Sequence, residues 1–313
     1  MRPETPPPPA TADSWHVTED LDAFLSQAGT FLRSRPDLHT LVLTVVETRR
    51  NGGARTYGDQ APWFGVLEEA GQVRAACFRT PPHRLVTTAL TPAQADALAA
   101  RLLALGRPVS GVNAVRETAD AFAASWSRRT GATTGPRPHG TRLHRLAALT
   151  PPDPAPPGRA RIAGQADREL LALWFDEFQE AIGEPGRQDA GAWTDTRLAY
   201  GGLTLWETPD GTPVSMGGIS PLLAGMIRVA PVYTPAPLRR RGYAAAVTTA
   251  ITRTALDRGA DQLLLFTDLA NPTSNALYRR LGYVPVADFT AYDFTAYDFT
   301  AYDFTAYDFT EPS

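Results

Sequence analysis

The sequence predicts an α/β protein made of two units in tandem. Three observations lead there. Segments with apolar residues at helical spacing alternate with short β-prone runs along the chain. Residues 150–158 hold five prolines in nine positions and split the chain near its middle. The two halves share a coarse order of strands and helices, which points to two copies of one layout. A length of 313 residues suits two domains of ordinary size.

The elements follow in order. Residues 1–14 read as a disordered, proline-rich lead-in without the apolar core of a secretory signal. Residues 15–149 are the first unit. In it, 20–31 is a helix, with Leu21, Phe24, Leu25, Ala28 and Phe31 near 3.6-residue spacing. Residues 41–47 are a β-rich run, and 63–67 with 73–78 form a hairpin around Glu-Glu-Ala-Gly. Pro92 opens a helix that stops at Gly106. A strand at 109–115, a helix at 117–127 and a closing strand at 143–149 complete this unit.

Residues 150–158 are a semi-rigid linker, because proline supplies no N–H for a helix interior or a central strand. The second unit, 159–290, begins with a strand at 160–163. In the helix 167–182, Leu170, Leu171, Trp174, Phe175, Phe178 and Ile182 share one face. Strands 203–207 and 214–219 flank the turn Pro-Asp-Gly-Thr. Then come a strand at 226–233, an amphipathic helix at 244–258, a buried-type strand at 263–267, a short helix at 275–281 and a strand at 283–289.

Residues 291–313 form a separate tail. The unit Asp-Phe-Thr-Ala-Tyr, first seen at Asp288, recurs with a period of five. In a strand an odd period puts successive tyrosines on opposite faces. In a helix five residues advance by about 500° and leave no stripe. The reading is one true closing strand followed by expanded copies of its end. The alternative is an adhesive tail that extends a sheet edge.

Composition narrows the chemistry. The chain has no lysine, which excludes a Schiff-base mechanism and a Walker A loop. Its single cysteine, Cys77, excludes an internal disulfide and a thiolate metal cluster, and no metal is expected. The last histidine is His144, so a site confined to the second half is expected to work without histidine. The formal net charge of −3 gives no basic surface for nucleic acid. No run is long and apolar enough for a membrane span. Together these favour the cytoplasm.

The stretch that carries chemistry is an apolar strand, a short loop and then Arg239-Arg240-Arg241-Gly242-Tyr243-Ala244 opening a helix. Small residues at 242 and 244 let backbone approach a ligand. The first-turn N–H groups and the helix dipole favour phosphate, and arginines add charge-assisted bonds. The alternative is an ordinary tight turn with solvated arginines. A second stretch, Asn271-Pro-Thr-Ser-Asn275-Ala-Leu-Tyr278-Arg-Arg-Leu-Gly282-Tyr283, caps a short helix through Asn271 or Ser274. Tyr278 lies one turn inside it. A phenol of pKa ~10 is a reasonable proton donor to a departing thiolate.

Residues 160–289 resemble the GCN5-related N-acetyltransferase (GNAT) superfamily. Arg239-Arg-Arg-Gly242-Tyr-Ala244 matches its Gln/Arg-x-x-Gly-x-Gly/Ala motif. Asn271, Asn275, Ala276, Leu277, Tyr278, Leu281, Gly282 and Tyr283 match its downstream block. The resemblance implies a mixed central sheet of the acyl-CoA N-acyltransferase type, with acetyl-CoA as cosubstrate between the fourth and fifth strands. It implies that Val232 and Tyr233 pair with pantetheine through their backbone, and that Arg239 to Ala244 hold the pyrophosphate. It places Asn271 and Asn275 along the pantetheine or thiol, with Tyr278 as the general acid. Transfer would be direct, to a primary amine of a small molecule or peptide, in a monomer or homodimer.

The general base stays open among Glu177, Glu180, Glu184, Asp268 and Glu207, with Glu177 and Asp268 preferred. Trp174, Phe175, Phe178 and Trp193 line the acceptor pocket or fill the core. The first unit resembles the family only weakly, since Arg79-Thr-Pro-Pro-His-Arg84 lacks the motif and Trp126 falls near the place of Tyr278. It reads as a degenerate copy or an unrelated α/β domain. The rival functions are a non-catalytic acyl-CoA-binding or regulatory protein, another acyl donor, and a hydroxyl acceptor.

Overall fold

The computed structural model describes residues 14–52, 61–136, 140–183 and 188–295. The chain packs as two compact units, and the division between them is discontinuous in sequence. The first comprises Met1–Ser34, Val45–Pro138 and Phe289–Ser313, and the second Arg35–Thr44 and His139–Asp288.

The first unit opens with β1 (Ser14–Thr18), α1 (Leu21–Ser34) and α2 (Thr40–Gly52), whose first turn belongs to the second unit. It continues through β2 (Trp63–Glu69), β3 (Gln72–Arg79), β4 (Leu85–Thr87), α3 (Pro92–Ala104), β5 (Gly111–Val115), α4 (Arg116–Thr130) and β6 (Thr134–Pro136). The second unit carries β7 (Thr141–Leu146), β8 (Arg159–Ile162), α5 (Arg168–Ala181), α6 (Ala190–Leu198), β9 (Leu203–Glu207), β10 (Pro213–Ile219) and β11 (Met226–Tyr233). It ends with α7 (Tyr243–Asp257), β12 (Gln262–Asp268), α8 (Pro272–Arg280) and the start of β13 (Tyr283–Phe294).

Besides β4, β6 and α6, which the sequence reading did not contain, four features differ from it. The run at 41–47 is helical, within α2. His39, Val42, Leu43 and Val46 are buried at i, i+3, i+4 and i+7, so a helical apolar stripe overrides the β propensity of the branched residues. The lead-in gives way at Ser14 to β1, which pairs with β2. The strand β7 lies in the second unit, not the first. It pairs antiparallel with β12 from Thr141–Asp268 to Arg145–Leu264, and Arg142 grips Asp288 through two bonds of 2.7 and 2.8 Å. Residues 150–158 therefore fall inside the second unit, where Trp206 Nε1 donates to the Pro157 carbonyl at 3.4 Å. Finally, the closing strand runs to Phe294, beyond the first copy of the repeat. Repeat residues from 296 onward lie outside the described residues.

In the first unit the strand order is β1-β2-β3-β4-β5-β13, and only β4 and β5 are parallel. Residues 289–293 of β13 pair with β5. Trp126 of α4 is buried and stacks on Phe122 and on Phe294, each centroid separation being 5.9 Å. Trp126→Ala is expected to destabilise this unit by about 3–5 kcal/mol, the range for emptying a core aromatic site. The midpoint of urea unfolding checks this; a loss below about 1 kcal/mol contradicts the packing described.

In the second unit the order is β7-β12-β11-β10-β9-β8, with β11 and β12 the parallel pair. Side chains alternate across this sheet. Leu203, Leu205 and Met216 pack with Leu171, Trp174 and Trp193 of α5 and α6. Ile219, Ile227 and Val229 pack with Ile251 of α7 and Tyr278 of α8. The unit is thus an α/β/α sandwich. Among the described residues no helix is long and apolar enough to cross a membrane.

Candidate active site

The site begins where two parallel strands part. β11 and β12 pair over only three positions, Met226–Gln262, Ile227–Leu263 and Arg228–Leu264. Beyond that, β11 stays with β10 as far as Tyr233–Met216, and β12 stays with β7 as far as Asp268–Thr141. Each strand follows its other neighbour, and a wedge opens between their C-terminal ends. A bulge in the β10–β11 register between Gly217 and Ile219 adds local twist to the departing strand. Val232 and Tyr233 lie on that strand's free stretch.

The loop after β11 carries the arginine run to the start of α7. Gly242 is the N-cap at φ +83°, and no side chain caps the helix. Its early N–H groups are left for a ligand. Arg240 also adopts a left-handed conformation, φ +64°. For a non-glycine residue this costs about 1–2 kcal/mol, and such strain collects at ligand-binding turns. Arg239 Nε donates to the Thr234 carbonyl at 3.0 Å, and its guanidinium lies 5.9 Å from the Tyr233 ring centre. Arg239, Arg240, Arg241 and Gly242 are exposed, Ala244 is half-buried and Tyr243 is buried.

Tyr278 is 9% exposed and belongs to the core under α7 and α8. Its ring meets Tyr283 edge-on at 6.0 Å. Its hydroxyl has no hydrogen-bond partner among the described residues. Burial, with a smaller contribution from Tyr283, pushes the phenol well above the ordinary tyrosine range. It is a protonated phenol with its proton uncommitted.

The carboxylate candidates separate clearly. Glu177 of α5 accepts a 2.8 Å hydrogen bond from the Tyr233 hydroxyl, which brings it to the end of β11. Burial and then the Glu177 carboxylate raise the Tyr233 pKa. Asp268 Oδ1 instead accepts the Ala270 N–H at 2.7 Å, organising its own turn. Glu207 is buried and held by Arg161 at 2.7 Å and Arg159 at 3.7 Å, a structural cluster. Glu180 is exposed, and Glu184 lies outside the described residues.

The two asparagines are engaged locally. Asn271 caps α8 by accepting the Ser274 N–H at 3.0 Å. Asn275 donates to the carbonyls of Asp268 and Asn271 and accepts from Thr267. Trp174, Phe175 and Trp193 are core, with Phe175 and Trp193 stacked at 3.8 Å; Phe178 is half-buried against them. Sequence reasoning missed Ser215, whose hydroxyl donates to the Tyr233 carbonyl at 2.9 Å, and Thr267. It also excluded histidine from this unit. His144 enters it on β7, 3.1 Å from Thr267. Among the described residues no group of His, Cys, Asp and Glu is placed to hold a metal.

With this geometry established, comparison with known proteins decides the family. The model of the Acetyltransferase (GNAT) family matches residues 168–283, from the first residue of α5 to the start of β13. This segment is a GNAT domain. Solved structures share the fold over most of the chain. A GNAT-family acetyltransferase from Colwellia psychrerythraea is 15% identical, with a TM-score of 0.56 over 90% of this chain and 100% of that one. A GCN5-related N-acetyltransferase from Sphaerobacter thermophilus is 18% identical, with a TM-score of 0.58 over 89% and 94%. A tandem GNAT protein from the clavulanic acid biosynthesis pathway is 12% identical, with a TM-score of 0.52 over 89% and 98%. No curated protein matches by sequence. The GNAT domain supports acyl transfer from a CoA-type donor. Its wedge, uncapped helix and buried phenol all lie inside the matched segment.

Proposed function

We propose that the protein transfers the acetyl group of acetyl-CoA directly to a primary amine of a small molecule or peptide. The observation that carries this reading is the parting of β11 and β12 beside the uncapped start of α7. The wedge gives a pantetheine arm free strand edge at Val232 and Tyr233. The Gly242 turn, Arg240 and Arg241 offer backbone N–H groups and guanidinium charge to the pyrophosphate.

Glu177 is the favoured base, taking a proton from the amine as nitrogen attacks the thioester carbonyl. The C–S bond then breaks, and Tyr278 stabilises the departing thiolate through its O–H and gives it the proton, the phenol being reprotonated from solvent. No enzyme-bound acyl group is needed. The second unit has no cysteine, since Cys77 lies in the first, and the imidazole of His144 is buried and bonded.

The first unit reads as a copy without a donor site. The helix in the place of α7 is α3, and its N-terminus is self-capped. Thr91 accepts from the Gln94 N–H, and the Gln94 side chain accepts from the Thr91 N–H. The Gln94 N–H that a phosphate would use is engaged, and Pro92 at the first helical position supplies none.

The test is thiol release from acetyl-CoA with alkyl amines, aryl amines, amino acids and short peptides. CoA binding without release for any amine would favour the non-catalytic reading. Release with alcohols alone would favour a hydroxyl acceptor. Glu177→Gln is expected to lower kcat about 10²-fold with the acetyl-CoA KM little changed, the effect of losing a general base. Unchanged kcat would move the proton to another acceptor.

A further inference from the structure

A hydrogen-bond chain, buried at its β7 end, joins β7 to the turn that precedes Tyr278. His144 lies opposite Leu265 and is 1% exposed. Its Nε2 is 3.1 Å from Thr267 Oγ1. Thr267 Oγ1 is 2.7 Å from Asn275 Oδ1. Asn275 Nδ2 reaches the Asp268 carbonyl at 2.8 Å and the Asn271 carbonyl at 2.7 Å.

Donor counting places every proton. Asn275 Nδ2 gives its two hydrogens to the two carbonyls. Its Oδ1 only accepts, so Thr267 donates its single hydrogen there. The Thr267 oxygen then accepts from His144, which puts the imidazole proton on Nε2. His144 Nδ1 is left with a buried lone pair and no partner.

The far end of the chain matters for chemistry. Asp268 closes β12 and Asn271 caps α8, and the Asn275 amide clasps both carbonyls. Tyr278 is three residues further along the same helix. The two carbonyls can only accept and so fix which way the amide faces, and the Thr267 hydroxyl, itself held by His144, anchors Asn275 Oδ1 on the other side. We infer that His144 is a positioning residue for Tyr278, acting through Thr267 and Asn275. This rests on Tyr278 as the proton donor, and His144 does not touch the reacting atoms.

The charges around the imidazole agree with a neutral ring. Arg142 of β7 and Arg279 of α8 oppose its protonation, while Asp288 of β13 favours it and is itself gripped by Arg142. Burial is the largest influence and lowers the His144 pKa, and hydrogen bonding with Asn275 opposes it without reversing it. The folded value lies below the unfolded value of ~6.5. Stability is therefore intact above that pH and is lost as pH falls through it, because the unfolded chain takes up the proton first.

The experiment measures kcat and KM in the full chain, by thiol release from acetyl-CoA with the most active amine of the panel. His144→Phe is expected to lower kcat by about 10–10²-fold, the range for a misplaced catalytic group, with the acetyl-CoA KM within about twofold. His144→Gln, whose amide N–H can still reach Thr267, is expected to keep kcat within about threefold and to lose less stability than wild type between pH 7 and 5.5. In a Tyr278→Phe background, His144→Phe is expected to cost nothing further. An equal loss in both backgrounds would overturn the inference. If His144→Phe does not fold, Thr267→Val breaks the same chain and carries the same comparison. A Tyr278→Phe enzyme with full kcat would instead remove the proton-donor reading, and the inference with it.

Discussion

Tyr278→Phe is expected to lower kcat by about 10²–10³-fold while leaving the acetyl-CoA KM nearly unchanged. The substitution removes one oxygen from a buried ring whose hydroxyl has no partner among the described residues. No hydrogen bond is lost and the edge contact with Tyr283 stays, so the melting temperature should hold. The thiolate would then leave unprotonated, or wait for a proton from water. Because burial keeps the Tyr278 phenol protonated far above neutrality, the wild-type rate should show no loss from this group at moderately alkaline pH. A stable Tyr278→Phe protein with wild-type kcat would exclude the phenol as proton donor.

Gly242→Asp should act on binding instead. The position combines φ +83° with the uncapped N-terminus of a 15-residue helix. A carboxylate there would stand at the helix N-terminus, where the proposed reading puts the pyrophosphate, and would repel its charge. CoA affinity is expected to fall by at least about 10²-fold, a few kcal/mol. The fold should suffer little. A side chain at positive φ costs about 1–2 kcal/mol, and a negative charge at the helix N-terminus returns roughly 0.3–1 kcal/mol. A new Cβ would make only ordinary contact with Pro156, at 3.5 Å. Calorimetric titration with CoA, beside a thermal melt, separates the two effects. Unchanged affinity would show that the phosphates lie elsewhere.

These two positions could be named from the sequence because their signals are local. The glycine, the arginines and the helix that follow β11 sit within a few residues of one another, and Tyr278 keeps a fixed spacing from its cap. What escaped was non-local. Glu177 and Tyr233 meet through a hydrogen bond across 56 residues, and His144 and Thr267 across 123. Spacing in the chain cannot rank Glu177 above Glu207 or Asp268. Only the arginines beside Glu207 and the amide beside Asp268 do that. The same limit placed β7 in the wrong unit, since its partner β12 lies far downstream. The error at 41–47 was of another kind. Leucine, valine and threonine favoured a strand, while the spacing of His39, Val42, Leu43 and Val46 already described a helix.

The path of β13 has a consequence for how the chain matures. Its first residues belong to the second unit, and its last six belong to the first, where Phe289 pairs with Val115 and Phe294 covers Trp126. During synthesis, the N-terminal sheet emerges from the ribosome without that strand. The edge of β5 and one face of Trp126 wait uncovered until residues 289–294 have been made. Such an open edge invites pairing with other nascent chains. The N-terminal sheet therefore cannot complete this edge before residues 289–294 are made, and a premature stop before Phe289 would leave it unsealed.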